Sequence, residues 1–136
     1  MRTLIVYESM YGNTRRVAEA IADGLGQRTE VEIAPIGQAT AQLVAQADLL
    51  IVGAPTHIHG MSSATSRRGA AADAAKPGSN LHLEPDAEAK GVREWLAGLP
   101  KSHVSLAAES AAVGLIPFVR CLGRRTRWGD PSQPRA

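Results

Sequence analysis

The order of apolar and polar positions in the first 55 residues predicts alternating strands and helices. Two continuous, β-branched apolar runs, at residues 4–7 and 48–55, are typical of strands buried on both faces of a parallel sheet. Between these runs, apolar residues recur at helical spacing over 17–25, residues 31–34 alternate like a strand, and residues 39–47 predict a short helix. Strands and helices that alternate so closely imply right-handed βαβ crossovers and a doubly wound α/β fold.

The pattern weakens after the second buried run. Residues 56–86 predict a long loop with a short helix at 66–75, and helical spacing returns at 92–99. Residues 104–108 predict a fourth strand. We therefore place one domain at residues 1–108.

Residues 109–136 form a divergent C-terminal segment, rich in arginine and proline. Within it Pro117 interrupts any helix or central strand, so that residues 115–122 are either a short edge strand or a packed turn. Such an abrupt change in composition is what a truncation or a shifted reading frame produces. A fourth strand without a neighbour would leave an unpaired edge and favour a homodimer.

Composition and charge narrow the class of protein further. The chain has 136 residues, 44% of them hydrophobic, and a single cysteine, so it can bury a core without a disulfide framework and is expected to be cytoplasmic. The net charge of +2 combines −2 over residues 1–114 with +4 over residues 115–136. The basic excess lies in one terminal segment and the N-terminal apolar run is short, so we expect neither a nucleic-acid nor a membrane partner.

The break between the first strand and the first helix carries the sharpest chemical signal. A helix N-terminus offers unpaired amides to an anion, Gly12 and Asn13 tolerate left-handed backbone, and Ser9 and Thr14 supply hydroxyl donors. The alternative is that the hydroxyl groups only cap the helix. Neither a Gly-Lys-Ser/Thr triplet nor a G-x-G-x-x-G turn is present, and the loop therefore suits a monophosphate.

The motif Ser9-x-x-Gly12-Asn13-Thr14-x-x-Val17-Ala18, directly after a buried strand, resembles the FMN phosphate loop of the flavodoxin family. The run 48–55 followed by 56–62 resembles the family's third strand and first flavin-contacting loop. The resemblance implies a sheet of order 2-1-3-4-5, with FMN at the carboxyl ends of the strands beside the switch point. The fifth strand of that pattern is doubtful or missing here.

The resemblance also implies which residues bind the cofactor. Those in the phosphate loop are Ser9, Met10, Tyr11, Gly12, Asn13 and Thr14, and those along the flavin ring are Pro55, Thr56, His57, Ile58, His59 and Gly60. Gly60 is the candidate whose peptide carbonyl turns toward flavin N5 on reduction. His57 and His59 could instead belong to a metal site, but no third ligand lies nearby in sequence.

Several other side chains have structural interpretations. Tyr11 either flanks the flavin or packs over the loop, and Trp95 is expected in the core. Arg15 and Arg16 either assist an anion or face solvent. Arg67 and Arg68 are expected to face solvent.

The function that the resemblance implies is electron transfer through bound FMN, with redox partner proteins or NADPH as partners. No nucleophile and base pair is evident, which favours an electron carrier over an FMN-dependent NADPH or quinone reductase. The alternative is a degenerate module that binds no FMN and serves as an interaction domain or has no function. A receiver domain is excluded because Ala54 and Pro55 stand where its phosphorylated Asp would be, and a small tyrosine phosphatase because Cys121 is far from the loop.

Overall fold

The elements of the fold follow the alternation that the sequence predicts. In the computed structural model the described residues are 1–57 and 60–100, together with the backbone of 118–123. The strands and helices are, in chain order, β1 (Arg2–Tyr7), α1 (Asn13–Leu25), β2 (Glu30–Pro35), α2 (Ala41–Gln46), β3 (Leu49–Ala54), β4 (Thr56–His57), β5 (Gly60–Met61), α3 (Ala64–Ala74), α4 (Val92–Gly98) and β6 (Phe118–Gly123).

The main sheet has the order β2-β1-β3-β6, and its first three strands are parallel. β1 is the central strand of these three, with Ile5 opposite Ile33 of β2 on one side and opposite Ile51 of β3 on the other. α1 and α2 are the crossover helices between the parallel strands. This arrangement confirms the predicted doubly wound α/β fold and the 2-1-3 part of its strand order.

β6 lies beside β3 and runs antiparallel to it, with Phe118 opposite Ala54 and Gly123 opposite Leu49. Of the two interpretations of residues 115–122, a strand or a packed turn, the strand is the one observed over the described part, which begins at Phe118. The predicted fourth strand at 104–108 lies outside the described residues. The same holds for most of the segment 109–136 and for the unpaired edge expected of that strand.

Both faces of the sheet are covered, since alternate residues of β1 and β3 point to opposite sides. Leu4, Val6 and their neighbours in β3 pack in one cluster, which includes Trp95 of α4. Ile5 and Ile51 pack on the other side against Ala18 of α1. Trp95 is 4% exposed and its Nε1 donates to the carbonyl of Ala39 at 2.7 Å, which confirms its predicted place in the core.

Candidate functional site

The two loops that the sequence singles out begin at the same edge of the sheet. Tyr7, the last residue of β1, is paired with Gly53 of β3, and the amide of Glu8 donates to the Gly53 carbonyl at 2.9 Å. A Cβ atom on Gly53 would lie 3.3 Å from Cγ2 of Thr14, so Thr14 packs directly on β3. The phosphate loop (residues 9–14) and the segment after β3 are therefore neighbours at the carboxyl ends of the strands.

The phosphate loop contains one left-handed residue, Gly12, directly before α1. Gly12 has φ +86° and is the N-cap of α1, and its amide donates to Oγ of Ser9 at 3.0 Å. Among the described residues no side chain caps α1, and the first turn of the helix contains no acidic residue. The hydroxyl oxygen of Ser9 thus stabilises the loop by accepting this hydrogen bond. The amides that follow Gly12 at the start of α1 have no partner within the helix, and they lie at the positive end of its dipole.

Buried side chains hold the phosphate loop against the body of the domain. Met10 and Thr14 are 3% and 4% exposed. The hydroxyl of Tyr11 donates to the carbonyl of Ala70 in α3 at 2.8 Å, and burial, followed by the charge of Asp73, raises the Tyr11 pKa. The Tyr11 hydroxyl is thus anchored to α3, and the choice between its two expected roles, flanking the flavin or packing over the loop, stays a prediction.

The segment after β3 forms a short hairpin, in which Thr56 pairs with Met61 and His57 with Gly60. Pro55 and His57 are half-buried, whereas Thr56 and Gly60 are exposed. Ile58 and His59, at the tip, lie outside the described residues. Within residues 1–57 and 60–100, no group of three His, Cys, Asp or Glu side chains is placed to hold a metal ion.

A buried polar network ties the hairpin to β1 and α3. Glu8, the residue after β1, is only 4% exposed, and its Oε1 accepts a hydrogen bond from the hydroxyl of Ser62, which is itself fully buried. Nη1 of Arg67 donates to the same Ser62 oxygen at 2.9 Å, and Nη2 of Arg67 lies 3.2 Å from Oε1 of Glu94. We call Glu8, Ser62, Arg67 and Glu94 the Glu8 network.

The prediction that Arg67 faces solvent is therefore wrong, whereas Arg68 is exposed as expected. Arg67 is 3% exposed because its guanidinium has a buried hydroxyl and a carboxylate as partners. Its Nε is buried without a hydrogen-bond partner among the described residues. A buried charge without those partners would be strongly destabilising, so Glu94 and Ser62 are what permit the burial.

The start of α4 completes the Glu8 network. The amide of Val92 donates to Oε2 of Glu8 at 2.8 Å, and the amide of Gly91 donates to Oε2 of Glu94 at 3.0 Å. Burial favours the neutral form of Glu94, but its hydrogen bonds from Arg67 and from the backbone outweigh that effect and lower its pKa. The Glu8 network thus joins the end of β1, the hairpin, α3 and α4 directly behind the phosphate loop.

One signal in the sequence could have revealed part of this network. Glu8 directly follows a continuous buried strand, with no turn residue between them. A carboxylate is rarely buried without a partner, so this position indicates that Glu8 has hydrogen-bond or ion-pair partners. Its partners come from residues more than fifty positions later, and no local pattern connects them to Glu8.

A cavity of about 600 Å³ lies in front of the phosphate loop, within the usual range for small-molecule sites. Its lining includes Tyr11, Gly12 and Asn13 of the loop, the two arginines Arg15 and Arg16, and residues 80–85. The left-handed glycine, the amides at the start of α1 and the guanidinium groups of Arg15 and Arg16 form a donor set that fits a phosphate monoester, and the carboxylate of Glu84 lines the same cavity. The chain is therefore a doubly wound α/β domain in which a left-handed glycine precedes the helix of the first crossover.

Comparison with known sequences specifies the family. The Flavodoxin family model matches residues 5–99, more than half of the chain, and the chain belongs to the flavodoxin family. A flavodoxin from Aquifex aeolicus is 37% identical over 59 residues, which are 42% of this chain and 32% of that protein. No solved structure matches the chain.

The described part of the chain contains no helix that is both long and apolar enough to cross a membrane.

Proposed function

We propose that this protein binds FMN at the carboxyl ends of β1 and β3 and transfers electrons through it. The observation that carries the proposal is the phosphate loop: a left-handed Gly12 opens a 13-residue helix at the edge where β3 also ends. The flavodoxin family membership supports the same function.

The chain's own residues have distinct roles in this proposal. The amides at the start of α1 and the hydroxyl groups of Ser9 and Thr14 hold the phosphate, with Asn13 and Met10 shaping the loop. Tyr11 keeps the loop fixed to α3 through its bond to Ala70.

The hairpin provides the wall for the flavin ring. Pro55 to Gly60 pass along the ring, and the space that the described residues leave open around the Cβ position of the exposed Gly60 gives the ring room to approach. The Glu8 network holds the base of this hairpin through Ser62.

When bound, flavin supplies one-electron and two-electron chemistry, and the protein contributes binding, orientation and burial. We infer an electron carrier that receives electrons from NADPH or a redox partner protein. The proposed electron transfer requires no side chain to act as an acid, a base or a nucleophile.

Substitution of Thr14 by Val tests the phosphate assignment. Valine keeps the methyl group that packs on Gly53 and removes only the hydroxyl donor. A hydrogen bond to a charged group contributes about 1.5–3 kcal/mol, so FMN binding should weaken about tenfold to a hundredfold in a fluorescence titration. Thr65→Val, at an exposed position of α3, is the matched control and should bind like the native chain.

Equal FMN affinity in the Thr14→Val variant and the native chain would contradict the assignment.

A second substitution, Gly12→Glu, would bring a carboxylate toward the phosphate, but its result would have more than one cause. A side chain at Gly12 would adopt a left-handed backbone, and its Cβ would lie 2.9 Å from Oε1 of Glu84. Lost binding in that variant would therefore mix charge repulsion with strain.

A further inference from the structure

The segment 80–86 lies across the phosphate loop and brings a carboxylate to it. The amide of Glu84 donates to the carbonyl of Met10 at 2.8 Å, and Ala87, which is 2% exposed, fixes the end of the segment in the body of the domain. The Glu84 side chain is 24% exposed, and its Oε1 lies 2.9 Å from the position of a Cβ on Gly12. A negatively charged group is therefore in contact with the residue that opens α1.

Glu84 also engages the nearest cation of the loop. Its Oε1 lies 3.2 Å from Nη2 and 3.3 Å from Nε of Arg15. Arg15 has a second carboxylate partner in Glu19, with Nη1 to Oε1 at 3.5 Å. Arg15 thus already has two carboxylate partners within the protein.

A phosphate group that binds to this loop would interact with the same two groups as the Glu84 carboxylate, the N-terminus of α1 and the guanidinium of Arg15. Both anions favour the positive end of α1 and the guanidinium of Arg15, and at this separation they repel each other. A ligand with an uncharged hydroxyl in place of the phosphate meets no such repulsion. The carboxylate therefore acts selectively against the phosphorylated form of a ligand.

We propose that Glu84 is a specificity-determining residue of the phosphate loop, an internal carboxylate that lowers the preference for FMN over riboflavin. The inference rests on the proposed FMN function. It concerns the preference of the phosphate loop for a charged ligand, FMN, over an uncharged one, riboflavin.

The test compares the affinities of the native chain and Glu84→Gln for FMN and for riboflavin, measured by flavin fluorescence. Glutamine keeps the size of the side chain and the backbone bond to Met10 but removes the charge. Glu88→Gln is the matched control, because it removes one negative charge from an exposed position close to the same segment. Circular dichroism and the unfolding midpoint show whether each variant folds as the native chain does.

We expect Glu84→Gln to tighten FMN binding by about tenfold, since one repulsive charge close to the phosphate is removed and Arg15 is released. Riboflavin affinity should change by less than about twofold, and Glu88→Gln should leave the FMN to riboflavin ratio at its native value. Inorganic phosphate should compete with FMN more strongly in Glu84→Gln than in the native chain.

Two results would overturn the inference while leaving the proposed function intact. One is FMN binding with the same FMN to riboflavin ratio in Glu84→Gln and the native chain. The other is weaker FMN binding in Glu84→Gln, which would make Glu84 a supporting part of the loop. If folded native chain and variants all bind no FMN, the proposed function itself is contradicted, and the inference about Glu84 is overturned with it.

Discussion

Gly91, the N-cap of α4, is the position where a single methyl group should disturb the Glu8 network most. A Cβ there would overlap Nη1 of Arg67 and would lie 2.8 Å from Oγ of Ser62 and 3.0 Å from Oε2 of Glu8. Gly91 has φ −94° and ψ 176°, a conformation that alanine adopts without strain. The cost of Gly91→Ala is therefore steric.

The loss of stability in Gly91→Ala depends on how easily the Arg67 guanidinium can move away from the new methyl group. The guanidinium of Arg67 is the end of a flexible side chain, but it is 3% exposed and bonded to Ser62 and Glu94, so it cannot retreat to solvent without breaking those bonds. Overpacking costs about 1–3 kcal/mol, and a broken buried hydrogen bond costs about 1–3 kcal/mol more. We expect Gly91→Ala to lower the free energy of unfolding by about 2–6 kcal/mol.

Urea unfolding followed by far-UV circular dichroism measures this loss. Gly69→Ala is the control, because Gly69 lies inside α3 with open space around its Cβ position, and it should stabilise the protein by up to about 1 kcal/mol. In an Arg67→Met background the cost of Gly91→Ala should be smaller, since the Arg67 nitrogen that the methyl group overlaps is gone while the close approach to Ser62 remains. A Gly91→Ala variant within about 0.5 kcal/mol of the native chain would refute the reasoning.

Two further substitutions test other contacts of α4. The lowered pKa of Glu94 means that its ion pair with Arg67 stabilises the fold above the unfolded-state pKa and loses this effect as the pH falls through the lower folded-state value. Glu94→Gln should therefore cost about 1 kcal/mol at pH 7 and less at acid pH, and an equal cost at both pH values in urea unfolding would contradict this. Trp95→Phe removes the donor to the buried Ala39 carbonyl and should cost about 1–3 kcal/mol in the same assay, whereas a loss under about 0.5 kcal/mol would show that this bond contributes little.

The elements that could be predicted from sequence are those with local causes. β1 and β3 are continuous apolar runs, and the loop between β1 and α1 contains the residue types that an anion-binding turn needs. The start of α1 at Asn13, four residues before the first apolar position of its pattern, follows from the left-handed Gly12 that ends the loop.

The features that could not be predicted depend on partners distant in sequence. Arg67 is buried because Ser62 and Glu94 meet it, and neither contact leaves a periodic pattern around residue 67. The contact of Glu84 with Gly12 joins positions 72 residues apart, and the pairing of β6 with β3 joins positions at least 64 residues apart. In each case the residues nearby in sequence are compatible with the observed contact, but they do not determine which distant residue is the partner.

The most direct test of the account is the visible absorption spectrum of the purified protein after incubation with excess FMN and desalting. The account predicts retained flavin bands, with FMN released on denaturation in proportion to the protein. A chain that shows a folded circular dichroism spectrum yet retains no flavin, and that also fails to bind FMN in titrations at higher flavin concentration, would contradict the proposed FMN function.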